Sequence, residues 1–479
     1  MTQSLNRLTT LLLLLFFVAA LSLFYWSVPA SDDMLRRLDN PRRVEAEQGL
    51  RRGALFSSDG TLLAESVPGG TSFSGKLILR RLYPQPAAIS AVGYYSLVHG
   101  VGGAEEAYDA TLRGNDRLNT GDRLLNDMLH RAQLGSDVRL TLDLKLEAAF
   151  ADALHGRRGA ALAVEVPSGA VRAMVSAPTF DPNTLDRRFD EMLKAQDAPL
   201  LNRVTQGLYQ PGGALQPILL SVLLTKGAKL ADPVPGADAP LTVGNLSLTC
   251  SPAQPVQTLA DAFGAACPAP FADAVTQYRA DVQTAFDSFG LTHAPTLINF
   301  RTVSGPPSPP LYALANDPDL LRAQGTGQGT LTVTPLQMAL AVASIANHGT
   351  GIAAPFVADA VRTPGGDWVP IRTPDLTTAT IPREVADQVR VAMRAAVTNG
   401  AANAAAVDGL TVYGHASYAL SGQQSSGILN TGAVTWFVGF AESADGKLLA
   451  VAVVLEGTAD TALPAQVAGM GFRAFWALP

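Results

Sequence analysis

An uncharged apolar segment near the N-terminus constrains this chain more than any other feature. Residues 8–26 read LTTLLLLLFFVAALSLFYW and carry no charged side chain. A helix needs about 20 apolar residues to cross the hydrocarbon core of a bilayer. The sequence therefore predicts a transmembrane signal anchor within residues 1–30. A cleaved signal peptide that ends at Val28-Pro29-Ala30 is the alternative, because small residues precede such cleavage sites.

The remaining composition is that of a large folded body. Of the 479 residues, 47% are hydrophobic and 16% are charged, which suits a globular core and is too apolar for a disordered chain. The formal net charge of −6 gives no electrostatic basis for nucleic acid binding. The 6 histidines and 2 cysteines are scattered and show no metal-ligand spacing. We therefore expect no metal, no other cofactor and no nucleic acid partner.

Hydrophobic patterning predicts an α+β fold. Asp59-Gly60 lies between short apolar runs and indicates a hairpin, and residues 159–166 and 170–176 read as two strands joined by a Pro-Ser-Gly turn. Because strands stand at both ends of a helical middle, we expect the first and last of them to share one sheet. Further helices are expected at 144–154, 215–224, 334–349, 382–400 and 464–477, further strands at 435–442 and 448–457, and loops at the proline-rich stretches 231–260 and 300–320.

Segments across most of the chain, in the same order, resemble one protein family. They are RRGALFSSDGTLLAES (51–66), GGAEEAYDATLRG (102–114), GAALAVEVPSGAVRAMVSAPTFDPN (159–183), LLNRVTQGLYQPGG (200–213), GQGTLTVTPLQMA (327–339) and TWFVGFAE (435–442). The chain thereby resembles a class B penicillin-binding protein, a member of the peptidoglycan D,D-transpeptidase family. The resemblance implies the serine β-lactamase/penicillin-binding transpeptidase fold, in which helices flank an antiparallel sheet. It also implies an anchor at 1–30, an N-terminal pedestal (dimerisation-like) domain at 31–140 and a transpeptidase-like domain at 141–479.

The first catalytic motif of that family is changed in this chain. Acyl transfer uses a serine nucleophile with a lysine one helical turn later, in the spacing S-x-x-K. The family's PGSTFK segment is similar to residues 211–216, PGGALQ, which puts Gly213 at the nucleophile position and Gln216 at the lysine position. Glycine has no side chain to acylate, and glutamine is neutral and cannot act as a general base. No serine in the whole sequence has a lysine three residues later.

The second and third motifs are changed as well. The family's S-x-N motif falls on Ala266-Cys267-Pro268, which lacks both the serine and the asparagine. Its K-T-G motif falls on His415-Ala416-Ser417, where the lysine that binds the substrate carboxylate and the glycine that admits substrate are both replaced. Ser417 and the following Tyr418 add side chains where substrate would lie against the strand. The resemblance therefore implies vestigial motif positions and no intact catalytic residue.

Some of the substituted residues admit two interpretations. His415 is either a half-exposed strand histidine or a surviving acid/base group. Cys267 either forms a disulfide with Cys250, which a secreted body permits, or replaces the nucleophile. A polar stretch reads either as a mobile loop after the third-motif strand or as the place of a relocated catalytic serine; its serines are Ser421, Ser425 and Ser426.

These observations predict a bacterial cell-wall (peptidoglycan) biogenesis protein that one span holds in the cytoplasmic membrane, with its bulk outside the cytoplasm. Its acyl chemistry is expected to be lost, which makes it a pseudo-transpeptidase. The resemblance implies that such a protein acts as scaffold or partner of a membrane glycan polymerase. One alternative is an active transpeptidase, carboxypeptidase or penicillin-binding enzyme with a non-standard nucleophile. The other is a non-catalytic module that binds the peptidoglycan stem peptide.

Overall fold

A computed structural model describes most of the chain: residues 2–27, 47–72, 75–115, 134–244, 246–251, 255–314, 316–363, 366–372, 380–420 and 432–478. The possible cleavage site at residues 28–30 lies outside them. The serines Ser421, Ser425 and Ser426 also lie outside, so the two interpretations of that stretch stay predictions.

The N-terminal apolar segment forms one long helix. Helix α1 spans Thr2–Ser27, and its stretch Asn6–Trp26 is long and apolar enough to cross a membrane. None of that stretch is buried against the rest of the described chain. An apolar helix that contacts no core is suited to lipid, so the expected N-terminal helix that could serve as an anchor is confirmed.

The region that follows is built from short elements. A hairpin turns at Asp59-Gly60 as predicted, and Gly60 has φ of 85°, a left-handed conformation that favours glycine. Arg52 and Arg81 both donate to the buried carboxylate of Glu105, which fixes the small domain from inside. Its strands are β1 (Leu55–Phe56), β2 (Leu62–Thr71), β3 (Leu77–Leu82), β4 (Tyr94–Ser96) and β5 (Gly100–Gly102), and its helices are α2 (Ile89–Val92), α3 (Ala104–Ala107) and α4 (Asp109–Leu112).

The rest of the chain carries most of the long strands and helices. Its strands are β6 (Val138–Leu140), β7 (Gly159–Val166), β8 (Val171–Ala177), β9 (Leu241–Val243), β10 (Leu246–Leu248), β11 (Ala358–Arg362), β12 (Trp368–Pro370), β13 (Thr411–Leu420), β14 (Ala433–Glu442) and β15 (Leu448–Glu456). Its helices are α5 (Leu144–Ala153), α6 (Leu185–Lys194), α7 (Gln216–Thr225), α8 (Leu259–Gly264), α9 (Ala269–Gln277), α10 (Arg279–Ser288), α11 (Pro318–Gly325), α12 (Pro335–Ala346), α13 (Arg383–Asn399) and α14 (Ala462–Phe475).

A five-stranded antiparallel sheet forms the centre of the larger domain. Its strand order is β13-β14-β15-β7-β8, and every neighbouring pair runs antiparallel. Strand β7 pairs with β15, which confirms that the first and last strands share one sheet. Successive side chains alternate between the two faces. Leu162 belongs to the hydrophobic cluster that contains α12, and its neighbours Ala161 and Ala163 belong to the cluster that contains α14.

A second sheet joins the two domains. Its strand order is β12-β11-β6-β1-β2-β3. Strands β11 and β12 come from residues 358–370, late in the chain, whereas β1 to β3 come from the N-terminal region. Arg139 of β6 donates to Asp359 of β11 at 2.9 Å and strengthens this junction. The domain division expected near residue 140 is therefore spanned by a continuous hydrogen-bonded sheet.

Sequence signals place the helices better than the loops. Helix α12 begins with a capping box in which Thr334 and Gln337 bond each other's backbone N–H groups, and Pro335 occupies its first turn. The stretches 231–260 and 300–320, expected to be loops, are only partly so. The first contains the β9–β10 hairpin, and the second contains a 3-10 turn at Leu311–Leu314 and the start of α11. Because these stretches are rich in proline, the alternating apolar pattern of LTVGNLSL at residues 241–248 was not recognised from the sequence.

Candidate functional site

The three altered motif segments meet at the open edge of the five-stranded sheet. The first is a 3-10 turn, Gly212–Leu215, that leads into α7. It packs on β13, the edge strand that carries the third motif. A Cβ atom built on Gly213 would lie 2.8 Å from Cβ and 3.2 Å from Oγ of Ser417, and 3.4 Å from Nε2 of Gln216. Positions separated by about 200 residues are thus in direct contact.

A buried hydrogen-bond network positions the chain before this turn. Glu456 at the end of β15 accepts from Arg203 at 2.8 Å and from the Tyr209 hydroxyl at 2.8 Å. The Trp436 indole of β14 donates to the carbonyl of Gln210 at 3.0 Å. A buried ion pair with additional hydrogen bonds fixes local geometry, and breaking one partner leaves an uncompensated charge. The frame that presents the motif is therefore intact.

The side chain at the lysine position is held as a neutral amide. Gln216 is 3% exposed, and its Nε2 donates to the carbonyl of Cys267 at 3.1 Å. Its Oε1 is buried and has no hydrogen-bond partner among the described residues. An amide has no basic nitrogen at any physiological pH. Gln216 can therefore tie the first motif to the second, and it cannot take a proton from a nucleophile.

The second segment follows α8, which begins with a capping box between Thr258 and Asp261. Cys267 is fully buried and is joined by a disulfide to Cys250, 17 residues earlier. Ala266 lies beside it with φ of 51°, and Pro268 comes just before α9. The sulfur of Cys267 is thereby consumed as a cross-link and is not a thiol.

The third segment puts a histidine inside the core. His415 is fully buried, and its ring lies 4.5 Å from that of Phe263. Neither ring nitrogen makes a well-formed hydrogen bond to a described residue, and the Gly213 backbone favours the protonated ring less than burial disfavours it. Burial lowers the pKa of His415 to about 3, so the imidazole is neutral at neutral pH. The expectation of a half-exposed histidine is wrong, because β13 turns this side chain towards the helices. Ala416 points to the opposite face and packs in the cluster around α14.

Ser417 and Tyr418 fill the place beside the edge strand. Ser417 is 3% exposed, and its hydroxyl has no partner among the described residues. The Tyr418 hydroxyl accepts from the backbone N–H of Thr249 at 3.1 Å and donates to the Thr249 carbonyl at 3.2 Å. The remaining cavity, lined by Gly213, Gln216, Ser417 and Tyr418 among others, is about 30 Å³. That volume holds roughly two water molecules.

The contact between Tyr418 and Thr249 was missed by sequence reasoning. The two residues are 169 positions apart, and bulk at Tyr418 was the only signal. A second cross-cleft bond was also missed: the Gln328 side chain accepts from the Leu420 backbone N–H at 2.8 Å. Within the residues that the structure describes, no group of three or more His, Cys, Asp or Glu side chains is placed to hold a metal ion.

Comparison with known families identifies the class of this protein. Residues 159–474 match the penicillin binding protein transpeptidase domain, and residues 52–138 match the penicillin binding protein A dimerisation domain. The peptidoglycan D,D-transpeptidase PbpA of Mycolicibacterium smegmatis is 30% identical over 96% of this chain and 95% of its own length. The Escherichia coli peptidoglycan D,D-transpeptidase MrdA is 29% identical over 33% of this chain and 32% of its own. The chain belongs to the penicillin-binding protein transpeptidase family, as its motif framework indicated.

Solved structures agree with this assignment. The D,D-transpeptidase domain of a peptidoglycan glycosyltransferase from Eggerthella lenta superposes with a TM-score of 0.74, at 26% identity over 90% of this chain and 99% of that one. The ceftriaxone acyl-enzyme complex of penicillin-binding protein A from M. tuberculosis superposes with a TM-score of 0.77, at 25% identity over 89% and 99%. The predicted α+β transpeptidase fold with an N-terminal dimerisation domain is confirmed.

Proposed function

We propose that this chain is a catalytically inactive member of its family, a pseudo-transpeptidase that acts in bacterial peptidoglycan biogenesis through binding. The observation that carries the proposal is the contact between Gly213 and Ser417. The position where the family has its nucleophile is a glycine, without a side chain. The side chain of Ser417, on the neighbouring strand, occupies the space that a side chain at Gly213 would need. Acyl transfer by the family mechanism needs a nucleophile and an adjacent base, and neither group stands here.

The closed cleft supports a scaffold role over the two alternatives. A stem peptide would have to pair with the edge of β13, where Tyr418 already bonds Thr249 and about 30 Å³ remain. An enzyme with a substitute nucleophile would need an accessible group. The Ser417 hydroxyl is buried, and Cys267 is in a disulfide.

The placement of the protein is part of the same proposal. Helix α1 anchors the chain in the cytoplasmic membrane by a single span, and the pedestal (31–140) and transpeptidase-like domain (141–479) lie outside the cytoplasm. The disulfide between Cys250 and Cys267 favours that side, because disulfides persist in oxidising compartments. The retained anchor and pedestal leave a surface through which the chain can hold a membrane glycan polymerase.

The test is acylation of the full-length protein in detergent by a fluorescent penicillin, followed by mass spectrometry of the intact chain and its peptides. An active class B transpeptidase serves as the positive control. We expect no covalent adduct at probe concentrations that saturate the control. A stoichiometric adduct on any side chain, Ser417 included, would show an active enzyme and overturn the proposal. Capture of a glycan polymerase by the full chain, and not by a variant with an unrelated anchor helix, tests the scaffold role.

A further inference from the structure

A groove lies between the two domains, away from the cleft. Two adjoining cavities of about 230 Å³ and 640 Å³ form it, and both are lined by Ile89, Thr179, Phe180 and Pro199. The larger volume is within the range of small-ligand sites, about 300–1,000 Å³. No residue that lines these cavities also lines the cleft beside Gly213. The groove is thus a separate candidate site to which both domains contribute.

The middle of the groove carries two aromatic rings. Tyr94 of β4 and Phe180 from the larger domain pack edge to face, with ring centroids 5.9 Å apart. Both side chains are partly exposed to the groove. This edge-to-face arrangement leaves part of each ring open to a ligand. Flat apolar faces of a ligand pack well on such rings.

Uncharged hydrogen-bonding groups surround the rings. Gln206 and Asn299 line the smaller cavity, and each amide offers both a donor and an acceptor. Burial raises the pKa of the Tyr94 hydroxyl, which therefore stays a neutral donor and acceptor. A ligand with many hydroxyl or acetamido groups can use all three side chains.

The charges in the groove disfavour anionic ligands. Four carboxylates and two guanidinium groups line the two cavities, so negative charge is in excess. Both guanidinium groups are already paired: Arg301 with Glu106 at 2.5 Å across the domain boundary, and Arg188 with Glu191 at 2.6 Å. Among the described residues each guanidinium group of the groove already has a carboxylate partner, so a phosphate or sulfate polymer would meet no unpaired cation there and would face two further carboxylates.

We propose that this interdomain groove, centred on Tyr94 and Phe180, binds a linear, uncharged oligosaccharide. The apolar C–H face of a sugar ring stacks on an aromatic ring, and its hydroxyl and acetamido groups bond the surrounding amides. Two adjoining cavities suit successive units of a chain better than one compact ligand. Since the groove and the cleft share no lining residue, the proposal does not depend on the loss of acyl chemistry.

The test is calorimetric titration of the full-length protein in detergent with the β-1,4-linked tetramer of N-acetylglucosamine. We expect saturable binding, weakened about tenfold by Tyr94→Ala, which removes one aromatic contact. Tyr312→Ala is the matched control, because Tyr312 is 61% exposed and lies outside the groove; its affinity should equal that of the unchanged protein. Gln206→Ala, at an exposed position, gives a second variant with low risk to folding and should weaken binding severalfold.

Several outcomes would overturn the proposal. They are the absence of saturable heat, equal affinity in the Tyr94→Ala and Tyr312→Ala proteins, and tighter binding of a sulfated oligosaccharide. Binding of a tetralysine peptide in place of the sugar would assign the groove to a basic peptide and would equally contradict it. Thermal melting of each variant separates lost binding from lost folding.

Discussion

At the scale of single residues, Gly213 and Ser417 fit only as a pair. A Cβ on Gly213 would approach the Cβ of Ser417 to 2.8 Å, closer than packed carbon atoms tolerate. In active relatives the resemblance implies the reverse arrangement, a serine on the turn and a glycine on the strand. The loss of the nucleophile is therefore coupled to a gain of volume on β13, and reversing one change alone creates a clash.

This coupling gives a mutational prediction. Gly213→Ala should lower the free energy of unfolding by about 1–3 kcal/mol, because it overpacks a buried contact. Adding Ser417→Gly should recover most of that loss, since it removes the opposing Cβ atom. Adding Ser417→Ala should recover little, because alanine keeps the Cβ. Thermal or urea unfolding of these proteins, together with the single Ser417→Gly variant, completes a double-mutant cycle.

The two serine variants differ only in one methyl group, which makes them matched controls. Equal recovery by Ser417→Gly and Ser417→Ala would assign the strain to the hydroxyl and would contradict the proposed Cβ contact. The absence of any loss in Gly213→Ala would show that the turn shifts freely.

At the scale of elements, residues 246–251, which we call the strap, close the cleft by their contact with strand β13. Its Thr249 bonds Tyr418, and its Cys250 is linked to Cys267, whose carbonyl accepts from Gln216. The strap, the second motif and the first motif are therefore connected in one chain of contacts. The disulfide closes a loop of 17 residues, worth roughly 3 kcal/mol by the chain-entropy estimate.

Removal of the disulfide should loosen the strap before it unfolds the domain. In a Cys250→Ser/Cys267→Ser protein we expect a lower melting temperature and faster hydrogen exchange at the backbone N–H of Thr249. Protection of the central strands β14 and β15 should persist, because they are buried and paired on both sides. Reduction of the unchanged protein by a dithiol is the control and should give the same pattern. Unaltered exchange at Thr249 would mean that the Tyr418 contact holds the strap by itself.

The elements also show how far the sequence alone leads. Local signals were sufficient for α12, whose Thr334 cap and Pro335 are read directly, and for the hairpin at Asp59-Gly60. The pairing of β7 with β15 followed from the general rule that such strands share a sheet. The addition of β11 and β12 to the N-terminal sheet was not foreseen, because nothing local to residues 358–370 specifies a partner so distant in sequence. The burial of His415 was missed for a similar reason, since only the helix packed on β13 decides its exposure.

At the scale of the whole molecule, two buried titratable groups act on stability in opposite directions. Glu147 of α5 is fully buried and accepts from the Met174 backbone N–H at 3.0 Å, and burial raises its pKa from 4.5 to about 8. The unfolded chain releases that proton above pH 4.5 while the folded chain keeps it, so stability falls as the pH rises from 4.5 to about 8. His415 has a pKa of about 3 when folded and 6.5 otherwise. Stability falls as the pH drops below 6.5, because only the unfolded chain takes up the proton.

Between pH 4.5 and 6.5 the two slopes oppose each other, each about 1.4 kcal/mol per pH unit. In this pH range the stability of the unchanged protein should therefore depend little on pH through these two groups. In Glu147→Gln only the contribution of His415 remains, so the melting temperature of this variant should rise from pH 4.5 to 6.5. In His415→Leu only the contribution of Glu147 remains, so the melting temperature of this variant should fall over the same range.

The opposite signs make the measurement robust, because packing losses shift the whole curve and leave its slope unchanged. Melting temperatures of full-length protein in detergent at several pH values suffice. Glu384→Gln, at an exposed site in the first turn of α13, is the control and should run parallel to the unchanged protein. If both buried-site variants also ran parallel to it, neither group would be held in its neutral form by the fold. The core around His415 and Glu147 would then have to admit water.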